Sequence, residues 1–106
     1  MDRRRAHRYP VKMLVAFSWA DASGAHRQGR GVSRDVSRKG EFILADLCPE
    51  EGAFVHLNLT LPHVLERAQP LHISVRGTVT RSEIAGNSTG FAVRNLRSAL
   101  ARINME

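Results

Sequence analysis

Large apolar residues recur at every second position in this chain, and that rhythm excludes most folds at the outset. From Val11 to Trp19 the odd positions are Val11, Met13, Val15, Phe17 and Trp19, all large and apolar. Val55, Leu57, Leu59 and Leu61 repeat the pattern against His56, Asn58 and Thr60. It returns in Leu71, Ile73, Val75 and Val79, set against His72, Ser74, Arg76, Thr78 and Thr80. Successive side chains of a strand point to opposite faces, so each run has one dry and one wet side. Gly31–Val36, Glu41–Ala45 and Thr89–Arg94 read as shorter strands, with Phe42/Leu44 and Phe91/Val93 expected to point inward.

Turn chemistry separates these runs. Asp21-Ala22-Ser23-Gly24 ends the first, Pro49-Glu50-Glu51-Gly52 precedes the long central run, and Gly86-Asn87-Ser88 precedes the last. Pro62 to Pro70 forms a longer connection, with one helical turn expected at 63–67. Asn95 reads as the cap of a short C-terminal helix from about residue 96, because Leu96, Ala99, Leu100 and Ile103 share a helical face. The expected fold is all-β: a six-stranded antiparallel barrel with a terminal helix over one end. With 106 residues the chain suits one domain. Residues 1–10 are expected as an arm outside the core and 11–106 as the barrel domain.

Several function classes are excluded early. No apolar run spans a bilayer, so membrane insertion is not expected. Arg3-Arg4-Arg5 has no hydrophobic stretch behind it, unlike a secretory signal. A lone cysteine, Cys48, forms no internal disulfide, and a cytoplasmic location is expected. Cys48 also lacks a neighbouring histidine to activate it, and the five histidines show no metal-ligand spacing. No paired carboxylates or phosphate-cradling glycine loop occurs. The chain does not read as an enzyme, and no cofactor or metal is expected.

Charge provides the positive signal. The net charge is +6, and 14 of the 16 basic residues are arginine, whose planar fork grips phosphates and guanine edges and stacks on flat rings. Four arginines lie in the arm, where Arg4 and Arg8 form an RxxxR pair. Further on, Asp35-Val36-Ser37-Arg38-Lys39-Gly40 gives DxSxxG at a strand-to-strand turn. At this arginine content about two RxxxR pairs arise by chance, whereas DxSxxG arises by chance roughly 0.02 times in a chain of this composition.

With these two motifs in this order, the sequence resembles the PilZ domain family, and the resemblance extends from the arm to Gly90-Phe91 in the last strand. It implies a sensor or adaptor that binds cyclic di-GMP, changes the conformation of its arm, and signals to an effector protein in motility, attachment or exopolysaccharide pathways. The ligand residues it implies are Arg4, Arg8, Asp35, Ser37 and Gly40, with Arg3 and Arg38 as secondary candidates. The chemistry suits such a ligand. Arginines pair with phosphates or guanine O6 and N7, while a carboxylate accepts from guanine N1–H and N2–H₂. Gly40 allows positive φ and close backbone approach.

Other readings stand beside this one. Asp35 and Ser37 in a turn often only cap local amides. Arg5, Arg30, Arg34 and Arg38 read as solvated surface. A basic β-barrel that binds nucleic acid is one alternative, although such proteins interleave exposed aromatics with basic residues, and aromatics make up only 6% of this chain. A PilZ-like module that docks proteins without nucleotide is the other.

Overall fold

The computed structural model describes residues 12–61 and 71–102. Six antiparallel strands run through them: β1 (Leu14–Ala20), β2 (His26–Val36), β3 (Gly40–Ala45), β4 (Phe54–Leu61), β5 (Leu71–Ala85) and β6 (Ser88–Arg102). They close into a barrel in the order β1-β2-β3-β6-β5-β4. The expected arm, with Arg3, Arg4 and Arg8, lies outside the described residues. So do the helical turn expected at 63–67 and residues 103–106.

The core follows the period-two pattern. Met13, Val15, Phe17 and Trp19 point inward, as do Val55, Leu57 and Leu59 from β4 and Val75 and Val79 from β5. Phe17 is the centre of an aromatic cluster, stacked on Trp19 at 5.7 Å and meeting Phe91 edge-on at 5.0 Å. The Trp19 indole N–H donates to Glu50 Oε1 at 3.0 Å, so the ring is buried with its polar end satisfied.

β2 begins five residues before the run read from the sequence. Its first half, His26 to Arg30, has no apolar alternation because the barrel needs none there. Gly29 pairs with Phe17, and a Cβ on Gly29 would come within 2.5 Å of the Phe17 ring. One large aromatic on β1 fills the space that two smaller side chains would otherwise share.

Two expectations are corrected. The first is the inward pair of β3. Ile43 and Ala45 belong to the core, while Phe42 shares a register row with outward-facing residues. The sequence Phe42-Ile43-Leu44 is apolar throughout, so alternation alone could not fix its phase. The second is the C-terminal helix. Residues 96–102 continue β6 as a strand, with Arg97 opposite Arg76, Leu100 opposite Ile73 and Arg102 opposite Leu71. Helical spacing loses here because the long β5 offers a ladder of backbone partners on both sides of Leu96. Asn95 therefore caps no helix.

The hairpin of β5 and β6 is the longest element, each strand spanning 15 residues. Its two-residue turn places Gly86 first, at φ 61°, with Ala85 opposite Ser88. That is the type II′ arrangement, in which glycine takes the first central position. The ladder is not regular along its length. Register shifts leave three residues without a partner of their own: Arg34 in β2, Thr80 in β5 and Leu96 in β6. Each is a β-bulge, a local insertion that re-aims neighbouring side chains.

Candidate functional site

The bulges at Arg34 and Thr80 flank one row of residues. Asp35 on β2 pairs with Phe42 on β3, Phe42 with Ala92 on β6, and Ala92 with Arg81 on β5. Directly opposed residues share a face of the sheet, so this row lies on the outside of the barrel across four strands. Each bulge adds a second side chain beside the row, Arg34 next to Asp35 and Thr80 next to Arg81.

Phe42 is the floor of this face. It points outward yet is only 3% exposed. On one side it lies against Gly90, where any Cβ would come within 2.4 Å of the ring. On the other, the Arg34 guanidinium lies 3.9 Å from the ring centroid, and Arg81 sits at 5.7 Å. Guanidinium–ring contacts that remain open to solvent, as these do, contribute about 0.5–1 kcal/mol. Arg34 Nε also donates to Asp35 Oδ2 at 3.3 Å. The result is a guanidinium lying over an aromatic ring, with a carboxylate beside them.

The DxSxxG segment forms the rim. The Ser37 hydroxyl accepts from the backbone N–H of Lys39 and of Gly40, each at 3.2 Å, and donates to the Gly40 carbonyl at 3.1 Å. All its hydrogen-bonding capacity is used inside the turn, so Ser37 shapes the motif from within. Gly40 does not have positive φ. Its requirement is proximity, because a Cβ there would stand 2.1 Å from the Val93 carbonyl oxygen. Arg38 is exposed on the turn.

Asn95 latches this turn to β6. Its backbone N–H donates to the Lys39 carbonyl at 2.7 Å. Its side-chain Nδ2 donates to the Arg38 carbonyl at 3.1 Å and to Glu41 Oε1 at 2.8 Å. Glu41 is buried, and burial pushes its carboxyl up to about 7, with the Asn95 hydrogen bond opposing and the nearby Asp35 charge adding to the rise. Glu41 Oε2 and Asn95 Oδ1 have no hydrogen-bond partner among the described residues. A protonated Glu41 leaves one fewer unsatisfied charge beneath the site.

Of the residues singled out from sequence, Asp35, Ser37, Gly40 and Arg38 thus gather at one rim of the groove, and Arg3, Arg4 and Arg8 lie outside the described residues. Sequence reasoning missed Arg34, Phe42 and Arg81. The missing information was the phase of β3 and the two bulges, neither of which leaves a mark in local composition. The groove between Arg34, Phe42, Arg81 and Arg94 encloses about 160 Å³, below the 300–1,000 Å³ typical of a complete small-molecule pocket. No cluster of three histidine, cysteine, aspartate or glutamate side chains suited to a metal occurs among the described residues.

The PilZ domain family matches residues 2–104, and the chain belongs to that family. Its members are binding and adaptor modules rather than enzymes. Among solved structures the chain is similar to that titled "Structure of Bacillus subtilis Inhibitor of motility (MotI/DgrA)", with a TM-score of 0.72 and 17% identity. The match covers 93% of this chain and 45% of the other, so the likeness is one of fold over less than half of that protein. No curated protein matches the sequence. No described helix is long and apolar enough to cross a membrane.

Proposed function

We propose that the outer face built on Asp35, Phe42 and Arg81 binds cyclic di-GMP, with the N-terminal arm supplying the opposite wall, and that binding signals to an effector protein. The observation that supports this most is the Arg34–Phe42 pair directly beside the Asp35 carboxylate. A guanine laid on the exposed side of the Arg34 plane brings its N1–H and N2–H₂ edge toward Asp35. Arg81 is then placed for a phosphate or for the O6/N7 edge. Arg4 and Arg8, and secondarily Arg3, close over the ligand from the arm, which explains why the barrel alone offers only a shallow groove. Ser37 and Gly40 act by holding the turn in shape. Arg38 adds positive charge at the rim. The switch is the ordering of the arm, in a bacterial cytoplasmic setting where this nucleotide is a messenger.

Calorimetric titration with cyclic di-GMP tests this directly. Arg8→Ala and Asp35→Ala should each weaken binding by about 1.5–3 kcal/mol, the scale of charge-assisted hydrogen bonds. Equal affinity after deletion of residues 1–9 refutes the role of the arm. Tighter binding of random oligonucleotides than of the dinucleotide, with a steep salt dependence, would favour a nucleic-acid function instead.

A further inference from the structure

The third bulge lies on a different face. Leu96 is the extra residue on β6, opposite Arg76 and Gly77, and it is 55% exposed. Across β5 from it stands Phe54, 73% exposed at the start of β4. Both apolar side chains lie on the same side of a row of three residues in direct register, His56 on β4, Arg76 on β5 and Arg97 on β6. Together they line a concavity of about 480 Å³, and no acidic residue lines it among the described residues.

The arginine pair is the informative part. Like charges directly opposite one another across two strands are destabilising. Arg76 and Arg97 occupy such positions, and neither has an ion-pair partner among the described residues, whereas Arg27, Arg34 and Arg81 each face a carboxylate. Two uncompensated guanidiniums alongside exposed Phe54 and Leu96 form a surface whose missing complement is anionic along one edge and apolar along the other. A phosphate backbone satisfies the arginine edge only, since Leu96 offers no flat face for a base. A second copy of the chain does not fit either, because two-fold pairing of this face sets arginines against arginines.

We infer that the Phe54–Arg76–Arg97–Leu96 face docks an acidic peptide segment of a partner protein, with carboxylates on the arginine pair and apolar anchors against Phe54 and Leu96. The inference names the partner surface that the adaptor reading requires and rests on that reading to this extent. The face shares β5 and β6 with the nucleotide groove but none of its side chains.

The test is selection from a displayed library of random linear peptides against the full chain, with and without saturating cyclic di-GMP. The enriched peptides should carry aspartate or glutamate flanking an aromatic or aliphatic residue. Arg76→Glu/Arg97→Glu should weaken the selected peptides at least ~10-fold, the effect of losing one strong hot spot, and should itself select lysine-rich peptides. NMR shifts induced by a selected peptide should centre on Phe54, Arg76, Leu96 and Arg97. Neutral or basic peptides, unchanged affinity in the double variant, or shifts centred elsewhere overturn the inference. Tighter binding of a single-stranded oligonucleotide at the same face, or dimerisation abolished by Phe54→Ser, also overturns it. Peptide binding that persists while the nucleotide titration shows nothing would leave this surface standing and remove the nucleotide reading instead.

Discussion

The barrel has two unlike halves. Around β1 and β4 the ladder is regular: seven consecutive pairs join β1 to β2, eight join β4 to β5, and no register shift interrupts them. Along β2–β3 and β5–β6 the ladder slips three times, and the slipped residues Arg34, Thr80 and Leu96 each stand at the edge of a surface with unusual chemistry. Both halves fill the interior, with Ile43, Ala45, Val75, Val79, Phe91 and Val93 coming from β3, β5 and β6. The slipped ladders differ on the outside, where they gather the Arg34–Asp35 and Arg81–Glu83 pairs. The difference shows how a small barrel combines packing with surface chemistry: alternation on every strand fills the interior, and the slips bring extra side chains together on the outside.

If that division holds, substitutions in the two halves should act on different observables. The largest effect is expected for Phe17→Ala, which removes the ring lying over Gly29 and against Trp19 and Phe91. Denaturant unfolding should show a loss of about 3–5 kcal/mol, with nucleotide affinity of the remaining folded protein unchanged.

Glu41 sharpens the boundary, because it belongs to the slipped half yet is buried. Its native carboxyl titrates near 7, above the ordinary 4.5, so between those values the native state holds more protons than the unfolded chain. The stability this confers is complete below pH ~4.5 and is lost as pH rises through ~7, by about 3 kcal/mol at most. Unfolding measured from pH 5 to 8 should fall accordingly, and Glu41→Gln should flatten the slope. A flat wild-type profile would mean that the carboxyl stays ionised in the native state.

Gly40→Ala should come next. Its Cβ would collide with the Val93 carbonyl, costing about 1–3 kcal/mol as overpacking does and weakening nucleotide binding as the turn shifts. It thereby crosses the boundary that Phe17→Ala respects. Asp35→Ala, by contrast, should reduce affinity while leaving the unfolding midpoint almost unmoved. The smallest effect is expected for Arg34→Ala. It strips the guanidinium from Phe42 at a cost of about 0.5–1 kcal/mol in stability, readable as a small midpoint shift, with a larger loss in nucleotide affinity.

The same two halves explain what the sequence disclosed. Strands β1 and β4 were legible because their alternation serves a plain interior. The turn at Asp35–Gly40 was legible as a motif, since its residue types are set by backbone geometry: Ser37 by its bonds to Lys39 and Gly40, Gly40 by the approach of Val93. The first half of β2 was hidden because glycine replaces apolar side chains opposite Phe17. Phe42 was misplaced because three successive apolar residues carry no phase. The end of β6 was read as helix because its leucine spacing fits both periods, and only the presence of β5 across from it decides. Arg34 and Arg81, read as ordinary surface or passed over, acquire their meaning from slips that depend on the partner strand.

The slips also bear on how this chain tolerates changes of length. In a regular ladder, removing one residue shifts every later pairing and exchanges the inside for the outside. At Thr80 and Leu96 the strand already carries one residue more than its neighbour. Loss of either would restore an even count and leave the turn at Gly86 and the pairs on both sides in place. Deletion of either codon should therefore trim the outer surface at that bulge while the other bulge and the core remain as they were.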